Sequence, residues 1–290
     1  MTAHPHVLEQ LLSAMRPRLH RYCARMVGST IDAEDIVQDT CLKASAAWGE
    51  EDLTNPEGWL FRIAHNTAFD FLRRQRRAPA LESLETIKMT VTSSTPDPLA
   101  AAASIRIFMR LPPLQRSTVV MKDVLGHSLE EIADVNGVSP AAAKSALQRG
   151  RTALRAFIDE PDDTELPVLS HDMRERLAAY VDGFRTGDFD AVRAMLSEDV
   201  RLDLVSKLTR EGKSEVGEYY GRYAACEQWA FDSGIVEGRP TMLVYHREVS
   251  LDRPAYFVAL SFRGGQIVAI RDFLFARYAV EGVRMQRLED

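Results

Sequence analysis

Cysteine is scarce. The chain of 290 residues has three, Cys23, Cys41 and Cys226, an odd number spaced too widely to read as a disulfide framework or a zinc site. Such a chain suits a reducing compartment. Long apolar runs are missing as well: no stretch approaches the roughly 20 residues of a membrane span, and the first residues lack the basic-then-apolar pattern of a secretory signal. A cytoplasmic protein with no membrane association is expected. No spacing of His, Cys, Asp and Glu reads as a metal site and no cofactor-binding signature is present, so no metal, no cofactor and no catalytic residue is assigned.

An excess of positive charge is also absent overall, since the formal net charge is −6, but its distribution is uneven. Residues 1–158 hold 19 Lys+Arg against 17 Asp+Glu, a net of +2, whereas residues 159–290 hold 17 against 25, a net of −8. Within the first part, Asp32 to Glu57 contains eight acids and one base, Lys43, while Arg73 to Arg77 contains four arginines and no acid. Segregation on this scale predicts one surface for a basic partner and another for nucleic acid.

What is present is helical punctuation. Leu111-Pro112-Pro113 stops one helix and starts another at about Leu114, because neither proline can donate a backbone N–H. Gly126 ends that helix, and Ser128-Leu129-Glu130-Glu131 has the form of a capping box for a short helix from Leu129 to about Val135. Asn136-Gly137 supplies a tight exit, and Ser139-Pro140 is an N-cap followed by proline at the first helical position. On the second helix Ala143, Leu147, Gly150 and Leu154 share an inward face, leaving Ser139, Lys144, Ser145, Gln148, Arg149, Arg151, Thr152 and Arg155 as donors for phosphates and base edges. The unit reads as a helix-turn-helix with its recognition helix starting at Pro140.

Upstream, residues 7–27 read as a helix with Leu8, Leu11, Leu12, Met15 and Leu19 on one side. A second helix opens on Asp32-Ala33-Glu34-Asp35, with Val37, Cys41, Ala44 and Trp48 as its core stripe and Asp35, Gln38, Asp39 and Leu42 elsewhere. A third runs from about Pro56 to Arg77. There Leu60, Ile63, Ala64, Thr67 and Phe71 form one stripe, and Arg62, Asn66, Phe69, Arg73 and Arg76 the opposite one, beside Arg74 and Arg77. Basic, amide and aromatic groups on one line suit single-stranded nucleic acid, which needs phosphate neutralisation, an edge to hydrogen-bond and a ring to stack on. Periodicity fades between Ala78 and Pro98, whose composition is that of a flexible linker, and Leu99 to Arg110 is expected to be helical.

DAEDIVQDTCLKA (Asp32 to Ala44), NPEGWLFRIAHNTAFDFLRRQRR (Asn55 to Arg77) and the helix-turn-helix beginning LPPLQRS resemble, in this order, the extracytoplasmic-function group of bacterial RNA polymerase sigma factors. The resemblance implies sigma domain 2 at 1–78, a linker at 79–103, sigma domain 4 at 104–158 and a second linker at 159–170. It implies that Asp35, Gln38, Asp39 and Leu42 contact core RNA polymerase. Arg62, Asn66, Phe69, Arg73, Arg74, Arg76 and Arg77 would bind the minus-ten promoter DNA, with a flipped base captured near the loop Glu50 to Asn55. Ser139, Lys144, Ser145, Gln148, Arg149 and Arg151 would bind the minus-thirty-five duplex. Ala141-Ala142-Ala143 departs from the bulkier residues of many relatives, which leaves the promoter sequence open.

Residues 171–290 change period. Leu177, Tyr180, Val181 and Phe184 make a helical stripe, Gly187-Asp188 breaks it, Phe189, Val192 and Leu196 mark a second short helix, and then Val200, Leu202 and Leu204 alternate with Arg201 and Asp203. After a helix from about Ser214 to Ala225, strand-like runs fall near Gln228–Val236, Thr241–Val249, Ala255–Phe262 and Gln266–Phe275, with a Gly264-Gly265 turn before the last. The pattern resembles the SnoaL-like branch of the NTF2-like fold, an α+β domain with a curved antiparallel sheet. Its cavity would be lined by Asp203, Tyr219, His246 and Asp272, with Tyr220 and Trp229 as walls. The expected whole is multidomain: two all-α sigma domains, then the α+β domain. The expected function is promoter-directed transcription initiation modulated in cis by the third domain, with core polymerase and promoter DNA as partners, an anti-sigma factor or small-molecule ligand as a further one, and no enzyme activity. Two alternatives stay open: a helix-turn-helix regulator with a ligand-sensing cavity that never engages polymerase, and a cyclase-type enzyme with a DNA-binding appendage.

Overall fold

The computed structural model describes residues 5–49, 53–76, 97–158, 168–220 and 228–288. The chain divides into two compact units, Met1–Asp162 and Asp163–Asp290.

The first unit is all helical. Three long helices, α1 (Pro5–Val27), α2 (Thr30–Ala47) and α3 (Pro56–Arg76), pack on one another. Pro17 lies inside α1 without ending it. The α1–α2 corner needs Gly28 at φ +79°, after which the Ser29 hydroxyl accepts from the Asp32 amide and starts α2. Glu34, which the acidic run places on the surface, is buried and ion-paired with Arg16. The expected helix from Leu99 to Arg110 is two short pieces, α4 (Pro98–Ala102) and α5 (Ile105–Phe108), because Ala103 and Ser104 are extended. Then come α6 (Pro113–Val119), α7 (Leu129–Asn136) and α8 (Pro140–Ile158). The capping box at Ser128 and Glu131 is formed in full, and Gly137 leaves α7 in the left-handed conformation. One feature has no signal in the sequence: after Val119 the helix widens into a π-helical turn, Val120–Val124, which carries Asp123 into the core.

The helices expected as two modules on a tether form one body. Tyr22 of α1 shares hydrogen bonds with Ser117 of α6 (3.0 Å) and His65 of α3 (2.7 Å). Buried Arg116 donates to the carbonyls of Met26, Met109 and Leu111. Phe61 meets the His127 ring edge-on at 4.7 Å. These bonds satisfy the buried Tyr22 hydroxyl and the two terminal nitrogens of Arg116 within the contact.

The second unit opens with α9 (His171–Thr186) and α10 (Phe189–Ala194), ended and started around Gly187 and the Asp188 cap. It continues through β1 (Leu196–Leu204), β2 (Leu208–Glu211), α11 (Lys213–Tyr220), β3 (Trp229–Val236), β4 (Arg239–His246), β5 (Tyr256–Arg263), β6 (Gln266–Asp272) and β7 (Met285–Arg287). The strand order is β2-β1-β6-β5-β4-β3-β7. The meander β3 to β6 is antiparallel as expected, but the sheet is mixed: β1 lies parallel to β6, in register at Leu202↔Ile270 and Leu204↔Asp272. Strand alternation cannot reveal this, since it is the same for either direction of pairing. Gly264 and Gly265, at φ +56° and +84°, form the two-residue turn between β5 and β6. The equivalent β3–β4 turn uses Glu237 at φ +53° with Gly238, and the edge strands β2 and β7 are additional to the expected set.

Candidate polymerase and promoter interfaces

On α2 the residues at Asp35, Gln38, Asp39 and Leu42 are all exposed and follow i, i+3, i+4, i+7 spacing, so they form one continuous outer stripe. Leu42 is 63% exposed, an apolar side chain in a charged surround. The opposite side of α2, with Ile36, Val37, Thr40 and Ala44, is buried.

On α3 the two stripes separate as charge and size dictate. Leu60, Ala64 and Thr67 are buried, whereas Arg62, Asn66, Arg73 and Arg74 are exposed. Phe69 is half-buried and lies 4.4 Å from the His65 ring, which orients it without covering it. Arg73 pairs with Asp70 at 3.0 Å, and Arg74 donates to the Asp70 carbonyl. The Arg76 backbone is helical, and Arg77 lies outside the described residues, as do 50–52 of the expected base-capturing loop. At the start of α3 the Asn55 side chain accepts from the Gly58 amide at 2.9 Å, and Trp48 packs beside Trp59 at 6.0 Å.

On α8 the inward face is Ala143, Ala146, Leu147, Gly150 and Leu154, set against α6. Ser139 caps the helix through the Ala142 amide, and Lys144 is exposed with Ser145, Gln148 and Arg149 part-exposed around it. Arg151 corrects the expected set of duplex readers. It is buried, and its guanidinium grips both oxygens of Asp123, with Nε at 2.9 Å from Oδ2. That hydrogen bond holds its pKa above the usual arginine value. Sequence spacing puts Arg151 on the line Lys144–Gln148–Arg151–Arg155, and only the π-helical turn brings Asp123 opposite it.

In the second unit the structure brings together two of the four expected cavity residues. The Tyr219 hydroxyl donates to Asp272 Oδ2 at 3.0 Å, and the Leu274 amide donates to Oδ1 at 2.9 Å. Nearby, the hydroxyls of Tyr180 and Tyr220 share a hydrogen bond of 3.1 Å, and burial pushes both phenols above their usual pKa. His246 sits elsewhere on the sheet, edge-on to Trp229 at 5.1 Å, with its Nδ1 buried and unpartnered. Asp203 is a second correction: it alternates away from Leu202 and Leu204 and faces Arg271 at 3.6 Å, on the side of the sheet opposite Asp272.

The family model described as Sigma-70 region 2 matches residues 11–78, and that described as Sigma-70, region 4 matches residues 105–154. The RNA polymerase sigma factor CarQ of Myxococcus xanthus is 36% identical over 156 residues, covering 52% of this chain and 89% of that protein. The ECF RNA polymerase sigma factor SigM of Mycobacterium tuberculosis is 33% identical over 154 residues, covering 53% of this chain and 78% of the relative. The chain belongs to the extracytoplasmic-function sigma factor family.

SigG of Mycobacterium tuberculosis, of the same family, is 27% identical over 303 residues and aligns with 89% of this chain and 79% of its own length, so the likeness continues past the helix-turn-helix. As a sigma factor the chain directs RNA polymerase to promoters and is a transcription factor, not an enzyme. Its C-terminal unit is built, among the described residues, on a mixed seven-stranded sheet. No helix among the described residues is long and apolar enough to cross a membrane. Three features of this sigma factor escaped the sequence reading: the Arg16–Glu34 pair, the Arg151–Asp123 pair and the Tyr22–His65–Ser117 cluster. Each joins residues far apart in the chain, and no local spacing signals them.

Proposed function

We propose that this sigma factor acts in the cytoplasm and divides its work among three surfaces. The α2 stripe, Asp35, Gln38, Asp39 and Leu42, docks on core polymerase; the exposed line on α3 takes the separated minus-ten strand; the first half of α8 enters the minus-thirty-five groove. The domain scheme is 1–78, 104–158 and 171–290. The observation that carries the reading is the pair of unlike faces of α3, core-forming on one side and Arg62, Asn66, Phe69 and Arg73 on the other. A helix built only for packing has no use for an amide and a part-exposed ring between arginines. Extruding a base costs a few kcal/mol of stacking, which hydrogen bonds from a group such as Asn66 offset. Accordingly Asn66→Ala reduces open-complex formation in the reconstituted holoenzyme more than it reduces binding to duplex promoter. An equal loss in both assays refutes base capture.

The C-terminal unit, with its acidic excess and its part-buried Tyr219–Asp272 pair, tunes this activity in cis, and an anti-sigma factor or a small molecule is its natural effector. Removing residues 170–290 and measuring promoter-specific run-off transcription tests it. Transcription unchanged by the deletion overturns cis modulation and leaves the promoter assignment standing.

A further inference from the structure

The basic line on α8 is cut in half by two carboxylates. Lys144, Gln148, Arg151 and Arg155 recur at spacings of four, three and four and so share one face of the helix. Lys144 is exposed and Gln148 part-exposed. The last two are each held by an acid of the same chain: Arg151 by Asp123, and Arg155 by Asp97, whose Oδ2 accepts from Arg155 Nη2 at 2.7 Å and Nε at 3.1 Å. Asp97 is itself fixed in place. Its backbone amide donates to Asp123 Oδ1 at 3.1 Å, and its own Oδ1 accepts from the Leu99 amide at the start of α4. The two pairs differ in one decisive respect. The Arg151 and Asp123 side chains are 3% and 0% exposed, so that pair belongs to the core, whereas Arg155 is 47% exposed and within reach of solvent.

We propose that Asp97 limits the DNA affinity of α8: it occupies the Arg155 guanidinium, keeps it from DNA phosphates, and so ends the DNA-contacting face of α8 near Arg149. The inference rests on α8 being the duplex reader. An arginine free to neutralise a phosphate adds binding that is the same for every sequence, because counterion release carries no base information. An arginine already paired with a carboxylate releases no counterion when DNA arrives. Asp97 thus competes with phosphate inside the protein, and the affinity it withholds is sequence-independent.

The test uses holoenzyme reconstituted with core polymerase and fluorescent duplexes, one carrying a promoter it transcribes in vitro and one of scrambled sequence. Asp97→Asn keeps the acceptor for the Leu99 amide and removes only the charge. It is expected to steepen the slope of log affinity against log salt by about 0.9 on both duplexes, which is about an eightfold gain at 0.1 M salt relative to 1 M. Discrimination between a wild-type and a mutated minus-thirty-five element stays level while binding to scrambled DNA rises, because the added phosphate contact is the same for every sequence. Adding Arg155→Gln to Asp97→Asn returns the slope to that of the parent. An unchanged slope, weaker binding in Asp97→Asn, or a gain that survives Arg155→Gln overturns the proposal. Arg149→Ala is the control for the underlying reading: it flattens the slope by about 0.9 if α8 lies on DNA. Failure of that control overturns the assignment of α8 and this inference with it, whereas a working control with an inert Asp97→Asn overturns only the inference.

Discussion

Replacing Arg151 by alanine separates a DNA contact from a structural one. The Asp123 carboxylate is fully buried, and its partner Arg151 is 3% exposed, with its guanidinium on both oxygens. Deleting the arginine leaves a carboxylate in the core with the Asp97 amide still donating to it. Breaking a buried pair in this way costs about 3–5 kcal/mol. The helices from Pro5 to Ile158 form one body, the unit Met1–Asp162, and at that size each kcal/mol moves the melting temperature by about 2–4 °C. A fall of at least about 6 °C follows, and the loss is a large share of the roughly 5–15 kcal/mol that a domain has in total. The assay is thermal unfolding of the full chain, with hydrogen exchange in the peptides of α6 and α8 to locate the loss. Exchanging the pair for apolar residues, Arg151→Met with Asp123→Leu, recovers most of it, because no charge is then stranded. If Arg151→Ala instead melts with the parent while promoter affinity and its salt dependence drop, the pair is not what holds α8, and the arginine reads DNA after all.

Two further outcomes follow from the same core. Burial pushes His20 and His65 down to about 4, and an unfolded histidine titrates near 6.5. Between those values the unfolded chain binds more protons than the folded one, so stability is intact above about pH 6.5 and falls as the pH drops toward 4, by about 1.4 kcal/mol per unit for each histidine. Urea midpoints measured from pH 7.5 to 4.5 should decline accordingly, and a flat profile would contradict the buried neutral rings. Gly150→Ala puts a methyl 2.6 Å from Val119 Cγ2 and 3.0 Å from the Gln115 carbonyl, where α6 crosses α8. The overlap costs about 1–3 kcal/mol, more than the roughly 1 kcal/mol that alanine gains in helix propensity. A higher melting temperature would show that the two helices separate more easily than this packing allows.

Local chemistry determined most of what the sequence alone could reveal. The capping box at Ser128, the Gly137 exit and the Gly264-Gly265 turn depend on side chains acting within a few residues, and they are found where the sequence puts them. The face of α3 was legible for the same reason, since helical period alone separates Arg62 and Asn66 from Leu60 and Ala64. Tertiary structure decided the partners. A guanidinium on the surface line of α8 is a DNA reader or a core anchor according to whether a carboxylate lies opposite, and Asp123, 28 residues away, arrives there only through a π-helical turn that no propensity announces. Likewise Asp203 and Asp272 are equivalent as sequence, and the parallel register of β1 on β6 assigns them to opposite sides of the sheet. Asp97 shows the boundary between the two kinds of information: the composition around it reads as flexible linker, whereas in the folded chain it caps α4 and grips Arg155.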